Sequence, residues 1–418
     1  MAVADDRGAR AEALVWSACS AMVGPALRLL GEDPSLARYD LATATVCGEP
    51  DLVARVIAED PARANMFFTP LARTPLHYAT FSRLGRLDPA RAAGIREVVW
   101  VLLAAGADPN LWFSHEGWVQ APIYGAAGIA GDPEMTRMLL EAGADPNDRG
   151  PDQEVGEALF HAAELAHPTC AELLLRAGAD PTAARHCLGR ALDFDRPEMV
   201  ATFVACGVRA DAGHVHQAVW RRRGRATVTA LLEAGAPVDA PDEAHGLTPV
   251  MVARRWGDDD VVGALISAGA DPERPEPELS PPAAQALLDE MLELAIERGS
   301  LADVRRMLDA GARVNGHPGR GASPLGQACW RGRVAIVAEL LHRGARTQFV
   351  DGGTALGATR HGAGHCNDPQ GGQTSATAEE IDQRPYREIE ELLAVHGGLG
   401  SGDGNGPGRL GGPGTQAP

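Results

Sequence analysis

No lysine occurs anywhere in the chain, and all 38 basic side chains are arginine. A Walker phosphate-binding loop, a protein-kinase site, a lysine Schiff base and a Ser-x-x-Lys nucleophile each require lysine, so none of these can be built. Aromatic residues are also scarce, at 5%. That scarcity argues against a β-sandwich, whose strands favour aromatic and β-branched side chains. No apolar run is long enough to span a membrane. The polar stretch Met1 to Arg10, with acid at Asp5 and Asp6, does not read as a secretory signal. The cysteines Cys19, Cys47, Cys170, Cys187, Cys206, Cys329 and Cys366 stand singly, without a Cys-x-x-Cys pair. They read as small buried apolar groups, and a reducing, cytoplasmic setting is expected. The formal charge of −18 repels phosphate on average, so neither nucleic acid nor an anionic membrane is the expected partner.

Internal repetition is what the sequence does have. A segment of the type Leu-Leu-x-x-Gly-Ala-Asp recurs, with glycines at Gly106, Gly143, Gly178, Gly207, Gly235, Gly269, Gly311 and Gly344, spaced by 37, 35, 29, 28, 34, 42 and 33 residues. Each unit reads as two short helices. The first opens most clearly at Arg73-Thr-Pro-Leu-His-Tyr-Ala79, with Thr74 suited to the N-cap and Pro75 to the first helical position. A short loop follows, often at a glycine such as Gly131, Gly257, Gly299 or Gly332. The second helix carries apolar residues at helical spacing, as in Val261, Val262, Leu265 and Ile266. The repeated glycine falls just beyond that helix, where a left-handed backbone is cheap only without a Cβ. The following Asp108 to Asn110, or Asp145 to Asn147, reads as a turn into a hairpin.

Thr74-Pro75-Leu76-His77-x-Ala79 and the Gly-Ala-Asp endings resemble the ankyrin repeat. Weaker copies of the opening stand at Leu247 to Ala253, Ala322 to Ala328 and Gly353 to Leu356. The resemblance implies an all-α fold: an ankyrin-repeat α-solenoid of about nine helix-turn-helix repeats with projecting hairpin loops. The expected organisation is an N-terminal helical cap over 1–40 and the array over 41–398. The array carries a Pro-rich insertion at 273–285 and a polar insertion at 362–382, and a disordered Gly/Pro tail follows over 399–418. The segment Pro181 to Ala240 lacks the opening motif and is expected to be distorted. The resemblance further implies that the chain binds a partner protein through a concave groove and hairpin tips, with no cofactor and no catalysis.

Aligning the units on their Leu-Leu pairs gives the residues expected to face the groove. They are Ile129-Ala130, Glu164-Leu165, Asp193-Phe194, Arg221-Arg222, Arg255-Trp256, Glu297-Arg298 and Trp330-Arg331. The later units thus offer Arg221, Arg222, Arg255, Trp256, Arg298, Trp330 and Arg331, the residue types most enriched in binding hot spots, and an acidic partner segment is expected. The plainer alternative is that Trp256 and Trp330 cap the core while the arginines are solvated. A second candidate is the loop Leu111 to Trp118. There Trp112 and Phe113 would form an apolar hairpin tip, while Trp118 folds back onto the inner helices.

Signals for chemistry are thin. His361, His365 and Cys366 are the one metal-like cluster, yet no fourth ligand is evident and Gly362 and Gly364 argue against the helix that would bring the histidines together. His77 and His161 read as framework residues. Gly316 to Gly321 has no preceding strand and is no dinucleotide loop. An enzyme sited in the divergent central repeats or in the His/Cys insertion is the rival reading. Arg221 to Arg225 is the strongest basic run, and one such run in an acidic chain is weak support for nucleic-acid binding.

Overall fold

The computed structural model describes residues 2–20, 23–115, 118–148, 156–316, 323–349, 352–365 and 384–396. The expected tail over 399–418, most of the insertion at 362–382, and Cys366 lie outside the described residues, as do the side chains of Trp118 and His365.

The described residues are built from helix pairs, with one short two-stranded ribbon, Phe113–His115 against Trp118–Gln120. Two helices, Ala2–Cys19 and Val23–Glu32, precede the repeats. Ten helix pairs then follow, from Leu41–Cys47 with Pro50–Glu59 to Ala355–His365 with Arg384–Val395, against about nine expected from sequence. The segment 273–285 divides at Ser280, because a helix starts at Pro281 and runs to Arg298. Proline at the first helical position gives up no hydrogen bond, so the doubled proline opens this helix rather than preventing one.

The chain forms two units, 1–218 with 223–238, and 219–222 with 239–418. In the first unit, the first helices of successive pairs stack on each other: Leu41–Cys47, Pro75–Phe81, Gly125–Ala130, Glu157–Glu164 and Pro181–Asp193. The second helices, from Pro50–Glu59 to Arg225–Glu233, form a parallel row. In the second unit, Pro281–Arg298, Pro324–Trp330 and Ala355–His365 stack in the same manner. Each pair buries a small apolar face, as at Val98, Val99 and Leu102 or Val261, Ala264 and Leu265, against its neighbours. The first repeat is closed off by the N-terminal helices. Leu14, Val15, Ala18 and Leu30 share one core cluster with Val46, Tyr78 and Leu84.

The recurring Gly-Ala-Asp segment has two separate causes. Gly106, Gly143, Gly178, Gly207, Gly235, Gly269, Gly311 and Gly344 all take a positive φ. A Cβ at any of them would meet nothing, so conformation rather than space calls for glycine. The residues after it link one repeat to the next. Asn65 Nδ2 donates to the Gly106 carbonyl while its Oδ1 accepts from the Asp108 N–H. Asn110 bonds Gly143 and Asp145 in the same way, and Asn315 bonds Gly344 and Arg346. Asn147 continues the chain to the N–H of Asp180. A side-chain amide is well suited to this, since it donates and accepts at once.

Candidate functional site

Two adjacent hairpins of the first unit carry exposed apolar groups close to a packed aromatic cluster. At the cluster's centre His77 is fully buried, and its Nδ1 lies 2.7 Å from Thr74 Oγ1. Burial pulls the imidazole down to about 3, so it stays neutral and acts as framework. Phe113 packs edge-on to His77 and Phe81, with ring centroids 5.1 and 5.6 Å away. Phe81 in turn meets Tyr124 at 5.4 Å. The next residue outward, Trp112, is 53% exposed. On the preceding hairpin, closed by a bridge between Phe68 and Arg73, Met66 and Phe67 are 48% and 47% exposed. Phe67 touches the same cluster through His77, at 6.3 Å. The loop therefore divides at one peptide bond: Phe113 folds inward and Trp112 remains outside.

Met66 and Phe67 carry no signal in the sequence reading, because the loop before Arg73 has no repeat motif. An apolar pair directly ahead of a turn that contains Pro70 is the clue available.

The Arg/Trp column of the second unit is different from what sequence alignment suggests. Trp256 is 1% exposed, the largest fully buried side chain, so its expected place on an open groove is corrected to the core. The reason is register. The left-handed residue after each first helix is Gly131, Ala166, Asp195, Arg222, Gly257, Gly299 and Gly332. Trp256 directly precedes that residue, whereas Trp330 stands one residue earlier, a rotation of roughly 100° about the helix. Trp330 is only half-buried and Arg331 stacks on it, 4.6 Å from the ring centroid. Arg222 itself occupies the left-handed position with φ 54°, so the unit at Arg221-Arg222 is shifted by one relative to the alignment on Leu-Leu pairs.

The arginines of the column are largely neutralised within the chain. Arg222 pairs with the buried Asp303 and with Asp258 at 3.5 Å, and lies 5.6 Å from the Trp256 ring. Arg221 reaches Glu297 at 3.3 Å and Arg255 reaches Glu276 at 2.6 Å. Arg331 donates to Gln327 at 2.6 Å. Arg298 is exposed and has no ion pair among the described residues. The run Arg221 to Arg225 is not one basic patch either. Arg223 turns inward and donates to the carbonyls of Leu192 and Asp193.

Among the described residues, no group of three or more His, Cys, Asp or Glu could hold a metal ion, and no helix is long and apolar enough to cross a membrane. The helix doubted from Gly362 and Gly364 does form, over Ala355–His365. Gly362 sits against the Trp330 carbonyl, an approach that a Cβ would block.

Stacked helix pairs, left-handed C-terminal glycines and inter-repeat asparagine links define a helical-repeat protein. Within that class the ankyrin repeat family model matches residues 73–112 and 245–276, one segment in each unit, and the chain is an ankyrin-repeat protein. Among solved structures it is similar to an ankyrin repeat domain from Acinetobacter baumannii at 23% identity, with a TM-score of 0.37, over 47% of this chain and 98% of that one. No curated protein matches.

Proposed function

We propose that the chain is a non-catalytic adaptor or inhibitor that holds a partner protein on the inner helices and hairpin tips of its ankyrin repeats. Ankyrin repeats are in general protein-interaction modules, and the exposed Met66, Phe67 and Trp112 on adjacent hairpins are the observation that carries the reading here. Phe67 packs on His77, and Trp112 adjoins Phe113, which is held against the same ring. Arg298, Trp330 and Arg331 are the surface of the later repeats that best supports a second contact. Trp256 and the paired Arg222 serve the fold.

The full chain should retain a discrete partner from native lysate of its own source. Phe67→Ala with Trp112→Ala should weaken that retention at least tenfold, an anchor-sized loss of about 1.4 kcal/mol or more. Trp330→Ala with Arg298→Ala should weaken it less. Retention untouched by the first pair removes the hairpin tips from the interface, and unfolding is checked by circular dichroism of each variant.

A further inference from the structure

In a chain of charge −18, several partly buried arginines are matched to acid: Arg190 to Glu164, Arg222 to Asp303, Arg221 to Glu297 and Arg96 to Asp132. Two arginines at the base of the exposed aromatic patch break the pattern. Arg73 is half-buried between the faces of Phe81 and Phe113, 4.7 and 4.4 Å from their centroids. Its Nε and Nη1 are buried without a hydrogen-bond partner, and its one polar side-chain contact is the sulfur of Cys19. Arg83, also half-buried, lies beside the same thiol, and its Nε is buried and unpartnered. No carboxylate of the described residues pairs with either. Cys19 cannot stand in for one, since burial raises its thiol to about 11 and leaves it neutral.

Desolvating a cation without a counter-charge is costly, and a solitary guanidinium is normally retained where something supplies that charge. The two aromatic faces hold Arg73 in a fixed plane. Both side chains are half-buried rather than fully enclosed. We propose that Arg73 and Arg83 form a subsite for a carboxylate, supplied by an aspartate or glutamate side chain of the bound protein segment. The inference rests on the hairpin-tip reading and refines it. The segment would carry an apolar residue for Trp112, Phe67 and Met66, and an acidic residue for the arginines below.

Short random peptides displayed and selected on the full chain test this. Recovered binders should carry Asp or Glu close to an apolar residue. They should bind Arg73→Gln or Arg83→Gln roughly tenfold more weakly or worse, and lose affinity as salt rises. Arg83→Lys should keep part of the affinity. Arg83→Gln should melt no lower than the parent, which a purely structural role for the cation would not allow, and this keeps the test valid if Arg73→Gln loses its stacking and unfolds. Binders that need Trp112 but ignore both arginines, or that carry no acid, overturn the subsite and leave the hairpin surface standing. Binders indifferent to Trp112 and Phe67 overturn the surface, and a selection that yields none overturns both.

Discussion

Single residues in this chain are best understood by asking what neutralises them. Asp148 is the acidic counterpart of Arg73. It is buried, one carboxyl oxygen accepts from the Ala158 N–H, and the other has no partner. Burial raises its pKa well above the usual carboxylate range. A carboxyl whose folded-state pKa is raised holds its proton more tightly in the folded chain, so no penalty exists below the unfolded value. The penalty grows as pH climbs above about 4 and is present at neutrality. Asp148→Asn keeps the acceptor for Ala158 and removes the charge. The variant should match the parent in urea midpoint near pH 4 and exceed it at pH 7. A variant less stable than the parent at pH 7 would mean that the ionised carboxylate has a partner after all. Nothing in the sequence marks Asp148, Arg73 or Arg83 as unusual, since each is an ordinary polar residue next to a turn. Pairing is a property of distance, and distance between side chains from different repeats is what a sequence does not print.

At the scale of the element, the residue ending each first helix explains both the regular and the divergent repeats. Gly48, Gly131, Gly257, Gly299 and Gly332 take a positive φ there, and so do Ala166, Asp195 and Arg222. The segment Pro181 to Ala240, expected to be distorted, keeps the helix pairs Pro181–Asp193 with Pro197–Ala205 and Ala212–Trp220 with Arg225–Glu233. Within it the L residues Asp195 and Arg222 carry the left-handed turn, a conformation costing about 1–2 kcal/mol without glycine. Ala166→Gly relieves that strain and gives back part of it as unfolded-chain entropy, so a net gain of about 0.5–1 kcal/mol is expected in denaturant unfolding. Gly131→Ala should act in the opposite direction, because a Cβ there would strike the His167 ring. The helix pairs, their caps and the Gly-Ala-Asp turns were legible in sequence because each depends on neighbours in the chain. The burial of Trp256 was not, because a one-residue difference in register from Trp330 turns an open face into a core face. Met66 and Phe67 were missed because a hairpin tip has no periodicity to read.

Across the whole molecule, stability resides in interfaces between successive repeats, and the thiols offer a built-in reporter of each. Cys47 and Cys170 are buried in the first unit and Cys329 in the second, with burial raising the thiols to about 12, 11 and 12. Cys187, buried in the helix Pro181–Asp193, is pushed up in the same manner, and Cys206, on the next turn, is only partly buried. The thiolate is the reactive form, so a buried thiol with a raised pKa reacts only after its repeat opens. In the native chain at pH 8, an aromatic disulfide reagent followed by peptide mass spectrometry should therefore find Cys206 modified ahead of the buried Cys47, Cys170, Cys187 and Cys329. Cys170 and Cys187 lie in consecutive repeats whose first helices stack directly. Opening one exposes the packed face of the other, so their labelling rates should converge as denaturant is added and rise with the same slope. If Cys187 labels as fast as Cys206 in native buffer, or if the slopes for Cys170 and Cys187 stay far apart, the divergent repeats are not coupled to their neighbours. The nearest-neighbour picture of this stack would then fail at its centre.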